Sequence, residues 1–140
     1  MKLPGNFQLS AFHGLAFIAV SFGLLTLKSG GSVLFFDGSA RQAAGAYVPW
    51  IVWFNFLMGF VYIVAGIGFW MRKTWGQRLA LMIFFATIVV FAGLEIHVLL
   101  GGAYEQRTVG AMIFRAAVWF FLFWRSGLKL RDQQNMSTAE

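Results

Sequence analysis

The sequence predicts an all-α, polytopic membrane protein, a bundle of four transmembrane helices with both termini in the cytoplasm. Three observations carry that expectation. The 140 residues are 59% hydrophobic and 19% aromatic. Only 11% are charged, against roughly 25% in soluble domains. The apolar residues fall into four long runs rather than into strand-like alternation.

The runs are Leu9 to Leu27, Tyr47 to Met71, Leu79 to Leu100, and Val109 to about Trp124. Crossing a hydrocarbon core of about 30 Å takes about 20 helical residues, so the first three suffice alone. The fourth reaches full length by continuing through Arg125 to Leu128, because a long Arg side chain at a helix end can snorkel to the headgroups. The expected helices are 9–28, 47–72, 76–100 and 108–128, a single domain over 1–128. A polar tail over 129–140, "LRDQQNMSTAE" after Lys129, has no apolar period and is expected to fray. The first run is longer than a signal-peptide core and lacks a small-x-small cleavage site, so it reads as a retained helix.

Orientation comes from basic residues near the run ends. With the N-terminus inside, Lys2, Arg72, Lys73, Arg78, Arg125, Lys129 and Arg131 lie in the cytoplasm, and Lys28, Arg41 and Arg107 outside. Seven against three obeys the positive-inside rule. Aromatic belts agree: Tyr47, Trp50 and Tyr104 at the outer interface, Trp70, Trp75 and Trp124 at the inner one. The net charge of +6 is therefore topological, and nucleic acid is not an expected partner. The expected location is a cytoplasmic (inner) membrane of bacterial type.

Between the first two runs, "KSGGSVLFFDGSARQAAGA" is the longest outside connection. Its "VLFF" is expected to touch the membrane surface, the Asp37-Gly38 turn to follow, and a short interfacial helix to start near Ser39. It reads either as a loop resting on lipid or as a lid. In the second helix Asn55, Gly59, Tyr62 and Gly66 share one bundle-facing stripe; in the first, Ser10, Gly14, Phe17 and Ser21 form a comparable face, with Ala19 and Gly23 a second small-residue pair.

Polarity inside the membrane concentrates in "GLEIHVLLGGAYEQRTVGAMIFR", Gly93 to Arg115. Glu95 and Arg115 fall about 8 and 10 Å below the outer boundary at 1.5 Å per residue, on antiparallel neighbours. Either charge alone costs roughly 2.5 to 3.5 kcal/mol near a helix centre, so a Glu95–Arg115 ion pair is expected, with Asn55 at similar depth completing it. Such a cluster either locks the hairpin in register or lines an outward-facing polar site. His97, two residues from Glu95, points about 200° away and suits the interface or a single-ligand contact. His13 lies at the other end of the bundle, so neither a bis-His haem nor a shared metal site is expected within one chain, and His97 and His13 are each left as a possible single-His ligand or partner contact. Gly101 and Gly102 suit left-handed helix ends and Thr108 a cap, which presents Tyr104, Glu105 and Arg107 at the hairpin tip.

The chain has no Cys, which excludes thiol chemistry, and no HxxxH, paired carboxylates or Ser-His-Asp arrangement that would mark a hydrolase. In size alone it resembles small multidrug transporters and small membrane glutathione-transferase-like enzymes. The key Glu that the former carry in the first helix is missing, and the basic, Asn-rich motif of the latter has no match. Two functions follow as expectations. The first is a non-enzymatic accessory or assembly subunit of a larger membrane complex, in contact with lipid, other membrane subunits or its own copies. The second is a small oligomeric transporter or channel using Glu95, Arg115 and Asn55. Seventeen Phe and six Trp offer apolar area to a bound lipid, quinone or pigment.

Overall fold

A computed structural model describes residues 5–36 and 38–139, the first six of them as backbone only. Lys2, the Ser10 side chain and Asp37 lie outside the described residues. The elements are α1 (Gly5–Phe35), α2 (Ser39–Ala44), α3 (Pro49–Trp70), α4 (Thr74–Leu99) and α5 (Gln106–Ser137). Among the described residues there is no strand. The four long helices α1, α3, α4 and α5 are each apolar enough, over enough residues, to cross a membrane. The chain is an all-helical integral membrane protein on that ground.

Helix boundaries depart from expectation at two places. α1 runs past Lys28 to Phe35 and absorbs most of the "VLFF" segment, and α5 runs through the polar tail to Ser137. In both cases the sequence beyond the apolar run contains no Pro and keeps residues that tolerate a helix, so backbone hydrogen bonding continues beyond the apolar stretch. The end of α1 is also capped from outside. Arg41 of α2 donates from Nε to Val33 O at 3.0 Å and from Nη2 to Leu34 O at 3.1 Å, placing a cation on carbonyls that have no partner within the helix. The short helix expected after Gly38 is α2.

Successive long helices run antiparallel. The end carrying α2 and the α4–α5 connection is the loop end; the opposite one carries the α3–α4 turn. α1 and α3 share the most extensive contact, and small residues meet backbone there: a Cβ on Gly23 would sit 2.8 Å from Gly59 O, and one on Gly66 would sit 3.2 Å from Ala16 O. The α3 stripe expected from Gly59, Tyr62 and Gly66 is buried. The α1 face is not the expected one. Gly14 and Phe17 are exposed, and Phe12, Ala16, Ala19 and Gly23 pack inward, because the small residues of α1 that meet α3 are the second pair, Ala19 and Gly23.

Both tight turns use the same device. After α4, Gly102 N donates to His97 O and Gly101 N to Val98 O, each at 2.9 Å, with Gly101 at φ 83. After α3, Lys73 N donates to Gly68 O and Arg72 N to Phe69 O, each at 3.0 Å, with Arg72 at φ 54. These are Schellman ends, in which a left-handed residue lets two backbone N–H groups reach the last carbonyls. Thr108, expected to cap α5, does not; that position falls to Glu105, with no side-chain cap bond.

The main core joins Phe12, Ala16 and Ala19 of α1, Tyr62 and Phe69 of α3, Ile83 of α4, and Trp119 and Leu122 of α5. A smaller apolar cluster of Val48, Ile51, Leu94 and Met112 closes the α3–α4–α5 side of the loop end. The α1 side of that end stays open.

Candidate functional site

Asn55 stands six residues into α3 and Arg115 nine residues into α5, roughly 9 and 14 Å from the loop end at 1.5 Å per residue. Arg115 Nη1 donates to Asn55 Oδ1 at 2.8 Å. The guanidinium carbon also lies 5.9 Å from the centre of the Phe22 ring of α1, within cation–π range. Its Nε is buried and has no acceptor. Arg115 is on the inward stripe of α5, with Met112, Trp119, Leu122 and Ser126 at spacings of three and four.

Glu95 is elsewhere. The inward stripe of α4 is Gly76, Ala80, Ile83, Thr87 and Leu94, and Glu95 is one residue, about 100°, beyond it. Its side chain is exposed, on the same side as Ile88, Ile96 and Leu99. Among the described residues no ion pair joins Glu95 to Arg115. The expected pair fails because equal depth on neighbouring helices leaves the angle about each helix axis free, and Leu94 takes the inward place. Asn55, expected at the edge of the network, is the partner Arg115 has.

Above Arg115 a cleft of about 670 Å³ opens at the loop end between α1, α2, α3 and α5. Asn55 and Arg115 line it, together with Lys28, Glu105, Arg107 and Thr108. Among the described lining residues three cations thus face one carboxylate. That carboxylate is already engaged: Glu105 Oε1 accepts the Ala46 N–H at 2.9 Å. Arg107 donates from Nη2 to Ala43 O, a carbonyl at the end of α2. The hairpin tip therefore clasps the α2 segment over the rim of the cleft. Gly45 makes the clasp passable, since it holds φ 62 and any Cβ there would strike the Glu105 carboxylate. Tyr104, the third tip residue, is exposed.

Below the Asn55–Arg115 pair the bundle keeps a polar layer. Tyr62 and Trp119 are fully buried with ring centroids 4.7 Å apart, and Phe22 stacks on Tyr62 at 5.8 Å. Among the described residues neither the Tyr62 hydroxyl nor Trp119 Nε1 has a partner in hydrogen-bond geometry. The fully buried Thr87 uses its hydroxyl on its own helix, donating to Ile83 O at 2.8 Å.

The histidines play other parts. His97 Nε2 lies 3.1 Å from Ala103 O and braces the α4–α5 turn. His13 stacks on Trp70 at 4.1 Å, at the opposite end of the bundle. Among the described residues no three His, Asp or Glu side chains gather as metal ligands would.

Sequence reasoning missed Lys28 and Phe22 as parts of this site. Lys28 was read only as a topological charge; a helix continuing past it, as α1 does, is the signal that would have placed it on a cleft wall. No protein-family model matches the chain, and no curated protein or solved structure matches it either.

Proposed function

We propose that this protein is a non-enzymatic integral membrane subunit, an accessory member of a larger membrane assembly, whose working part is a ligand cleft at the loop end. In this reading both termini are cytoplasmic and the cleft opens to the outside, as the excess of Lys and Arg at the opposite end supports. The observation that carries it is Arg115. A full charge at this depth, met among the described residues by the neutral Asn55 and the Phe22 ring rather than by a carboxylate and open above to a cleft, is costly to maintain for packing alone.

The accessory role is supported by α4. A carboxylate among lipid-facing apolar residues, as Glu95 is, costs less when another chain covers it. Purification in mild detergent tests this part: stoichiometric membrane partners should co-purify, and Glu95→Leu should weaken their retention. Recovery of a bare homo-oligomer, unaffected by that substitution, counts against it. The cleft is tested by thermal melting with extracts of the native membrane, which should raise the Tm of the wild type and not of Arg115→Gln.

A second reading, a small oligomeric transporter, is favoured by the polar layer of Tyr62, Thr87 and Trp119 beneath Arg115, which extends polarity about halfway across α3 and α5. Flux in proteoliposomes that disappears on Tyr62→Phe, with the melting temperature kept, would support it.

A further inference from the structure

We infer that the cleft takes a phosphate oxyanion, as the headgroup of an anionic phospholipid or as a free phosphate; the inference rests on the cleft being a ligand site.

The lining selects the sign of the ligand. Among the described lining residues Lys28, Arg107 and Arg115 face one carboxylate, Glu105, a net of two positive charges. Glu105 is occupied by the Ala46 N–H, which lowers its value as a counter-ion for the two deeper cations. Arg107 spends one donor on Ala43 O and keeps the rest of its fork. Lys28 has no hydrogen bond or ion pair among the described residues, although its own carbonyl accepts from Ser32 Oγ at 2.7 Å.

The second observation is inside the site. Of the three guanidinium nitrogens of Arg115, Nη1 alone has an acceptor among the described residues; Nε is enclosed by protein, so Nη2 is the donor left for a ligand. Asn55 Oδ1 is consumed by that bond, which leaves the Asn55 amide as a further donor. Tyr47 and Thr108 add hydroxyls to the lining. The charged donors of the described wall, on Lys28, Arg107 and Arg115, thus outnumber its one charged acceptor, while the hydroxyls can serve as either. The complementary ligand is one that only accepts, which is the character of a phosphate, and planar guanidinium forks recognise such oxygens with charge-assisted bonds.

Shape favours the lipid source. Leu25, Val33, Val48, Ile51 and Val52 line the same cleft, so apolar wall and cationic groups are continuous from the α1–α3 side. A headgroup seated on Arg115 would have its acyl chains along that wall. A choline headgroup brings a second, positive charge that a net positive cleft disfavours, so phosphatidylglycerol should be preferred over phosphatidylcholine.

The test uses the full chain in nanodiscs, followed by native mass spectrometry after detergent release. From mixed phosphatidylglycerol and phosphatidylcholine discs, one phosphatidylglycerol per chain should be retained. The Lys28→Gln, Arg107→Gln double variant leaves the half-buried Arg115–Asn55 pair intact and should lose about tenfold in retention, which corresponds to roughly 1.4 kcal/mol. Arg115→Gln should lose at least as much, and Arg115→Lys should recover part of it. Inorganic phosphate in millimolar amounts distinguishes the sources: displacement of the lipid with equal protection against melting assigns a free anion, and failure to displace assigns the lipid. Equal retention of both lipids, or retention unaffected by the double variant, overturns the anion inference. If a neutral ligand is held in a way that depends on Asn55 and Ile51, the cleft reading stands without it; if no ligand depends on any lining residue, both fall.

Discussion

Asn55 and Arg115, sixty residues apart in the chain, share a hydrogen bond of 2.8 Å that ties α3 to α5 at the floor of the cleft. Asn55→Ala should therefore cost more than an exposed polar truncation. A hydrogen bond to a charged group contributes about 1.5 to 3 kcal/mol, and the loss should be read from chemical or thermal unfolding in detergent. Combined with Arg115→Met, the double-mutant cycle should show a coupling of at least about 1 kcal/mol. Additive effects would mean the bond has no energetic weight.

Glu95 gives the contrasting case. Because it faces outward with no ion pair among the described residues, Glu95→Gln should leave the stability of the isolated chain within about 0.5 kcal/mol or raise it. A loss of several kcal/mol, the value for breaking a buried pair, would restore the register lock that the sequence suggested.

The clasp between the hairpin tip and α2 is open to hydrogen exchange. Glu105→Ala removes the acceptor of the Ala46 N–H, so exchange at that amide should quicken by about tenfold, the equivalent of a bond of roughly 1.4 kcal/mol. Amides in the middle of α3 and α5 should not change. Gly45→Ala should open the same contact and lower stability by more than 1 kcal/mol, since it combines a left-handed backbone with a clash at Glu105.

The two Schellman ends make a paired prediction of opposite sign. Arg72 at φ 54 is a residue with a Cβ in a left-handed position, so Arg72→Gly should stabilise by about 0.5 to 1 kcal/mol. Gly101→Ala, at φ 83, should destabilise by a similar amount. The midpoints of urea or sodium dodecyl sulfate titrations would show both.

Much of this architecture is legible in the sequence. Run length and charge depletion give the four spans, and the stripe through Gly59, Tyr62 and Gly66 gives the inward face of α3. Depth is also legible, since the rise per residue is fixed. The angle about each axis is not, where several residues compete for the inward place: on α4 the apolar Leu94 wins it and Glu95 is turned out, and on α1 the Ala19–Gly23 pair wins over Gly14 and Phe17. The cleft was hidden for a related reason. It is assembled from α1 and α2 as much as from the hairpin, and the extension of α1 beyond Lys28 depends on Arg41 capping Val33 and Leu34, a contact between segments that periodicity does not encode.

The length of α5 sets the outline of the molecule. Its 32 residues make a rod of roughly 48 Å, against about 30 Å of hydrocarbon. About 18 Å is surplus, and the seven residues of the polar end, from Arg131 to Ser137, account for about 10 Å of it. α5 is thus lopsided, with its polar extension at the face opposite the cleft. Any neighbour that meets the protein from the aqueous phase on that face touches a helical spur before it touches the membrane.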